Sequence, residues 1–185
     1  MKSQEKYHYF GNNIFILAIQ FIDLIRNEKI SKGESIMNYG TKMKEIRIIN
    51  NKNQSDIARI LNISPYTYSH YETQDAIMPL KHLINFCEYF NISIDYIFGF
   101  TEKTQYKNAN KNIKLENNNL RIYRKLNNIT QKELAKKLNI TQSSISEYEK
   151  GHKIISTPIL FSICKKYNIS ADYLLGKTDN PKHIK

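Results

Sequence analysis

The sequence has little of what most secreted and catalytic proteins depend on. It holds only two cysteines in 185 residues, which excludes a disulfide-dense secreted scaffold. It contains no CxxC or HExxH pattern, so no zinc ligand set and no metal site is predicted. A nucleophile–base–acid set and a glycine-rich phosphate loop are both missing, so neither an enzyme nor a cofactor is predicted.

Long hydrophobic runs are also missing. The longest apolar stretch, residues 14–25, is interrupted by Gln20 and Asp23, whereas a membrane-spanning helix needs about 20 apolar residues. The stretch lacks the small-residue cleavage site of a signal peptide, so a cytoplasmic protein is expected. Its polar residues recur at helical spacing and leave a broad apolar face, which predicts an amphipathic helix. We expect that helix to pack on the protein or on a second copy, and a membrane-surface contact is the less favoured alternative.

Acidic residues are few relative to basic ones. Lys and Arg number 28 against 17 Asp and Glu, for a formal net charge of +11. Such an excess favours a polyanionic partner, which is either a nucleic acid or an anionic membrane surface. Composition alone does not choose between the two.

An internal repeat organises most of the chain. A shift of 77 residues aligns residues 43–99 with residues 120–176 without a gap, and 20 of the 57 pairs are identical. One small fold used twice is the simplest explanation. The predicted boundaries are an N-terminal extension at 1–38, a first domain at 39–100, a polar linker at 101–117, a second domain at 118–176 and a basic tail at 177–185.

Each unit carries the signals of five short helices. In the second unit, apolar periodicity and capping residues predict helices at 120–126, 131–138, 142–149, 158–167 and 171–176. Thr130 and Glu133 form a capping box, and Asn139 tolerates the left-handed backbone that ends a helix. Cys87 and Cys164 occupy the same repeat position and are expected to be reduced core residues. The fold class is therefore all-α.

The centre of each unit carries the most specific pattern. The stretches QSDIARILNISPYTYSHYETQ (Gln54–Gln74) and QKELAKKLNITQSSISEYEKG (Gln131–Gly151) are each two short helices joined by a three-residue turn. Both units resemble the lambda-repressor-like (Cro/repressor-type, XRE) helix-turn-helix family. This resemblance implies sequence-specific binding to double-stranded DNA with the second motif helix in the major groove. It further implies a transcriptional regulator that acts by occupying a promoter.

The resemblance also assigns residues to the predicted DNA-binding surface. It implies that Gln131 and Gln54 hold a phosphate or support their neighbours. It assigns base contacts to Gln142, Ser143, Ser144, Ser146 and Glu147 of the second unit, and to Pro65, Tyr66, Thr67, Ser69 and His70 of the first. The predicted surface also includes the helix-capping Thr141 and Ser64 and, for phosphate contacts, Arg124, Lys132, Lys150 and Lys153. For Arg124 an ion pair with Glu149 inside the unit is the alternative.

Charge separates the two units. Residues 39–100 have a net charge of zero, whereas residues 118–176 carry ten basic and four acidic side chains. Because phosphate neutralisation supplies most non-specific affinity, the second unit is the predicted DNA binder. The first unit is either an auxiliary DNA-binding domain or a protein-interaction domain. For the whole chain, the alternative is a protein-interaction or antitoxin-like module, with residues 14–25 or the first domain as its contact surface.

The length of the linker bears on how the two units would be used. A flexible linker of 17 residues reaches at most roughly 55–60 Å, and DNA half-sites one turn apart are ~34 Å from centre to centre. One chain could then cover two half-sites without dimerising. Because the two second motif helices differ, such a site would be asymmetric.

Overall fold

The computed structural model describes residues 37–105 and 119–183. In these ranges the chain forms ten α-helices and no strand, in agreement with the predicted all-α class. The first domain contains α1 to α5, at Tyr39–Ile49, Gln54–Leu61, Pro65–Thr73, Leu80–Tyr89 and Ile94–Ile97. The second contains α6 to α10, at Leu120–Leu126, Gln131–Leu138, Gln142–Lys150, Thr157–Tyr167 and Ala171–Leu174.

Local capping signals explain where the helices begin. The hydroxyl of Thr130 accepts a hydrogen bond from the Glu133 backbone nitrogen, and Glu133 accepts one from the Thr130 nitrogen, which confirms the predicted capping box. Asn53 and Asp56 make the same reciprocal pair at the start of α2. Such pairs satisfy backbone donors that have no partner within the helix. The observed ends of α8, α9 and α10 differ from the predicted ones by one or two residues.

Left-handed backbone positions end the helices at matching places in both domains. Asn51, Asn62, Gln74, Asn91 and Gly99 have positive φ in the first domain, and so do Asn128, Asn139, Gly151, Asn168 and Gly176 in the second. Asparagine tolerates this conformation better than most residues, which explains its recurrence. The exception is Gln74, with φ 61°, where the second domain has Gly151 with φ 73°. The Gln74 side chain accepts a hydrogen bond from the nitrogen of Gly40 in the first turn of α1 and donates one to Met37 O.

The helices of each domain enclose an apolar core. Cys87 and Cys164 are free thiols in this core, as predicted, and both are fully buried. Tyr68 is also fully buried, at the position that Ile145 fills in the second domain. A tyrosine ring therefore replaces an isoleucine beneath α3. Its burial raises the pKa of the Tyr68 phenol above its usual value.

The two domains pack directly against each other, and the described residues of both belong to one compact unit. The contact is centred on α5 and α10, the short last helices of the domains, and also includes Thr157 and Phe161 of α9. Beside each of these two helices lies the segment that follows it in the chain, and the two segments make equivalent backbone contacts. The nitrogen of Ser93 donates to Thr104 O at 2.7 Å, and the nitrogen of Ser170 donates to Pro181 O at 2.9 Å. Thr101, at the start of the predicted linker, is buried.

The predicted amphipathic helix at residues 14–25 lies outside the described residues, as does most of the predicted linker. Across the two described ranges, no helix is long and apolar enough to cross a membrane.

Candidate nucleic-acid interface

A basic cleft opens between the first three helices of the second domain. Its volume is about 660 Å³, and it is lined by α6, α7 and α8 through Arg121, Arg124, Lys125, Thr130, Gln131, Lys132, Gln142, Ser146, Glu149 and Lys150. Five of these side chains are basic and one is acidic. A concave surface with this charge attracts phosphate groups.

The helix α8 presents a polar face beside this cleft. Thr141 caps its start by accepting a hydrogen bond from the Ser144 nitrogen at 3.1 Å. Ile145 and Tyr148 point into the core and fix the rotation of the helix. Gln142 and Ser143 are exposed as a consequence. An exposed glutamine amide and a hydroxyl can each donate to and accept from the edges of bases.

Arg124 lines the cleft and forms a bidentate ion pair. Its Nε and one terminal nitrogen donate to the two oxygens of Glu149 at 2.5 and 2.9 Å, and the other donates to Ile129 O at 2.8 Å. Gln131 Nε2 donates to the same carboxylate at 2.8 Å. Burial acts to raise the pKa of Glu149, but the hydrogen bonds from Arg124 and Gln131 together lower it below its usual value. The pair therefore joins α6, α7 and α8.

The first domain contains the same network. Arg47 donates to both oxygens of Glu72 at 2.6 and 3.0 Å, and Gln54 donates to this carboxylate at 2.9 Å. A third donor of Arg47 bonds to Lys52 O at 3.0 Å. In both domains, then, the arginine and the glutamine support neighbouring helices, which was the intramolecular alternative for Arg124. Contact of Gln54, Gln131 or Arg124 with phosphate stays a prediction.

The cationic character of the cleft is specific to the second domain. The repeat places Lys44, Arg47, Ile48, Ser55 and Thr73 where the cleft has Arg121, Arg124, Lys125, Lys132 and Lys150. Only two of the five positions keep a basic residue, and one of those, Arg47, is paired with Glu72. The start of α3 instead presents Tyr66, which is 75% exposed and lies against His70 with 4.3 Å between ring centroids.

The structure brings together six of the eleven residues predicted for the second domain. Six line the cleft: Arg124, Gln131, Lys132, Gln142, Ser146 and Lys150. The others lie on or beside α8, outside the cleft lining: Thr141, Ser143, Ser144, Glu147 and Lys153. Glu147 lies 3.5 Å from His152 Nδ1, and Lys153 Nζ lies 6.0 Å from the centre of the Tyr148 ring.

The residues predicted for the first domain lie on α3 or at its start, apart from Gln54. Ser64 accepts a hydrogen bond from the Thr67 nitrogen at 3.0 Å, and the two hydroxyls also bond to each other. Pro65 and Tyr66 are exposed, whereas Ser69 and His70 are half-buried. His70 Nδ1 lies 3.5 Å from Asp75. This surface is aromatic and has no lysine or arginine, whereas the surface of α8 is polar and flanked by cations.

Sequence reasoning missed two basic residues of the cleft, Arg121 and Lys125. They lie four residues apart on α6, so they share one face of that helix. The charge spacing of the segment LRIYRKL was the signal that could have identified them.

Comparison with known proteins agrees with the repeat. The Helix-turn-helix family profile HTH_3 matches the chain twice, at residues 43–97 and 120–174. Together these ranges cover more than half of the chain. No solved structure matches the chain significantly.

Several curated proteins are similar over about the length of one domain. The "HTH-type transcriptional regulator ImmR" of Bacillus subtilis is 45% identical over 53 residues, which are 29% of this chain and 42% of ImmR. The "Antitoxin PezA" of Streptococcus pneumoniae is 36% identical over 59 residues, 32% of this chain and 37% of PezA. The "Uncharacterized HTH-type transcriptional regulator YobD" of Bacillus subtilis is 39% identical over 62 residues, 34% of this chain and 55% of YobD. The chain thus spans about half or less of the length of these relatives.

Proposed function

Because the chain belongs to the Helix-turn-helix family HTH_3, we propose that it is a transcriptional regulator that binds double-stranded DNA. The observation that carries this proposal is the basic cleft beside the exposed polar face of α8. Phosphates of the DNA backbone would occupy the cleft while the start of α8 enters the major groove. Such a protein regulates by occupying a promoter, and the location that we propose for it is the cytoplasm.

The chemistry of the side chains assigns them to phosphate contacts, base contacts or support of the fold. Arg121, Lys125, Lys132 and Lys150 supply the phosphate contacts, because they are cations around one concave surface. Gln142 supplies base contacts, since a side-chain amide pairs with the N6 and N7 edge of adenine. Arg124 contributes by holding α6 against α8, because its guanidinium already bonds to Glu149 and Ile129 O.

Salt dependence tests the proposal. The affinity of the full chain for duplex DNA is expected to fall steeply with salt, with a log–log slope of about −0.9 per neutralised phosphate. Lys132→Ala and Lys150→Ala should each reduce the magnitude of the slope by about one. Lys165→Ala is the matched control, because Lys165 is exposed on α9 and does not line the cleft. A slope near zero for the parent protein would remove the proposal.

The similarity to PezA favours a second candidate, an antitoxin-type regulator that binds a protein partner. In that case binding to DNA is secondary, and the aromatic surface of α3 or residues 14–25 would contact the partner. The salt slope separates the candidates, because a protein-interaction module neutralises few phosphates.

A further inference from the structure

We propose that one chain binds one asymmetric DNA site, with its two domains held as unlike halves of an intramolecular pseudo-dimer. This inference rests on the proposed function and specifies its substrate class: a duplex that carries two different half-sites at one fixed spacing. The argument starts at the contact between α5 and α10.

The contact between the domains is reciprocal. Asp172 accepts hydrogen bonds from the nitrogens of Ile94 and Asp95 at 3.2 and 2.9 Å, at the start of α5. Asp95 accepts one from the nitrogen of Ala171 at 2.7 Å, at the start of α10. We call these contacts the aspartate clasp. In the repeat, Asp95 corresponds to Asp172 and Ile94 to Ala171. Each domain thus caps the last helix of the other with the same residue.

Reciprocal contact between equivalent residues defines an approximate two-fold axis. In a symmetric dimer, residue i of one subunit contacts residue j of the other, and j contacts i. Here both partners belong to one chain. The surface through which one such domain would pair with a second copy is therefore already covered. Ile94, Ala171 and both clasp aspartates are 0% exposed.

The edges of the contact favour the unlike pairing over a like one. Lys177 of the second domain donates to Ile92 O at 3.0 Å and lies 3.6 Å from Asp172. The repeat places Phe100 at the equivalent position of the first domain, where it stacks on Phe161 with 5.2 Å between centroids. Two first domains would bring two Asp95 carboxylates together without Lys177, because the equivalent residue is Phe100. Buried like charges without a cation are strongly unfavourable, so the first domain pairs better with the second domain than with a copy of itself.

The same axis fixes the position of α3 relative to α8, the two helices proposed to contact bases. Because the domains share one fold, the operation that relates α5 to α10 also relates α3 to α8. The separation of the two helices is then set by the aspartate clasp, as in a dimer that recognises two half-sites at a defined spacing. The half-sites must differ, since Pro65 and Tyr66 stand where α8 has Gln142 and Ser143.

The test is selection of duplexes from a random library by the full chain, followed by native mass spectrometry of the selected complex. We expect two unlike sequence blocks at one fixed spacing and one chain per duplex. Gln142→Ala should relax the preference in one block only, and Tyr66→Ala in the other block only. Tyr89→Ala is the control, because Tyr89 is 48% exposed on α4, away from both helices, and it should change neither block.

Three other results would overturn the inference, and they separate its failure from that of the proposed function. A palindromic sequence with two chains per duplex would show a conventional dimer and leave DNA binding intact. A single short block sensitive to Gln142→Ala alone would show that the first domain does not contact bases. Absence of duplex binding at low salt would remove the inference and the proposed function together.

Discussion

Asp95 and Asp172 exchange hydrogen bonds across the two domains: each carboxylate accepts from the first backbone nitrogen of the helix that contains the other. The two residues are equivalent in the repeat, and neither has any exposed surface. Further polar partners surround the pair. Lys177 lies 3.6 Å from Asp172, and His183 Nδ1 lies 3.3 Å from Asp95 Oδ1. The aspartate clasp is therefore the centre of a set of buried polar contacts between the domains, which also includes the hydrogen bonds from Thr157 to Met78 O and from Lys177 to Ile92 O.

Removing one carboxylate of the aspartate clasp should destabilise the protein. Asp95→Ala leaves the buried nitrogen of Ala171 without an acceptor, and this costs about 1–3 kcal/mol. We expect the free energy of unfolding in urea to fall by that amount. Asp179→Ala is the control, because Asp179 is exposed and exposed substitutions change stability by about 0.5 kcal/mol or less. Equal losses for the two variants would show that the aspartate clasp does not stabilise the fold.

The stability contributed by Asp172 should depend on pH. Burial, and then the charge of Asp95, raise the pKa of Asp172 to about 6 from an ordinary value of 3.8. A raised folded-state pKa favours the protonated carboxyl, so this contribution is present below about pH 4 and is lost as pH rises through about 6. The stability of Asp172→Asn relative to the parent should therefore improve by about 2–3 kcal/mol between these pH values. Thermal unfolding at several pH values measures it.

A pH-independent difference between Asp172→Asn and the parent would contradict the raised pKa. The difference between the two proteins is the quantity to compare, because other groups act in the same pH range. The pKa of His82 is lowered by burial and by Lys81, and the pKa values of Glu72 and Glu149 are lowered by their hydrogen bonds. Each of these makes the protein more stable as pH rises, and each is common to both proteins.

Substitutions of Arg124 and Lys132 should distinguish a residue that stabilises the fold from one that contacts phosphate. Arg124→Lys cannot make the bidentate bond to Glu149, whose side chain is only 3% exposed, so we expect a lower melting temperature. Lys132→Ala should leave the melting temperature unchanged and weaken DNA binding at low salt. Thermal unfolding and binding titrations on both variants check this. A normal melting temperature for Arg124→Lys would reassign Arg124 to the DNA contact.

The spacing of the half-sites should not depend on the length of the linker. Six Gly and Ser residues inserted after Asn110 lengthen the predicted linker and leave every residue of the aspartate clasp in place. Selection with this variant should return the same spacing as the parent chain, because the aspartate clasp sets the separation of α3 and α8. Broadened spacing would mean that the linker, and not the domain contact, controls it.

The left-handed position after α8 should accept asparagine better than alanine. Gly151 has φ 73°, a conformation that costs a residue with a Cβ atom roughly 1 kcal/mol. Gly151→Ala should lower the free energy of unfolding by about this amount. Gly151→Asn should cost less, because asparagine already adopts this conformation at three equivalent positions of the two domains, for example at Asn62 and Asn139. Equal costs would argue against backbone strain as the cause.

Local signals in the sequence determined the helices and their ends. Thr130 and Glu133 are three residues apart, so the capping box that they form is visible in the sequence and is confirmed in the structure. The asparagines of the turns identify left-handed positions in the same way. The repeat revealed two copies of one fold, and the family match agrees. Charge counting identified the more basic domain, and the basic cleft lies in that domain.

Only the tertiary structure decided how the two domains relate and what their polar residues do. From the sequence, Asp95 and Asp172 were acids near helix starts, and Lys177 opened a basic tail. In the fold, all three are buried between the domains. The ion pair of Arg124 was one of two alternatives until α6 and α8 were placed side by side. The physical reason is the sequence separation of the interacting residues. A helix cap or a turn depends on residues within about four positions of each other. The hydrogen bond between Ala171 and Asp95, by contrast, joins positions 76 residues apart.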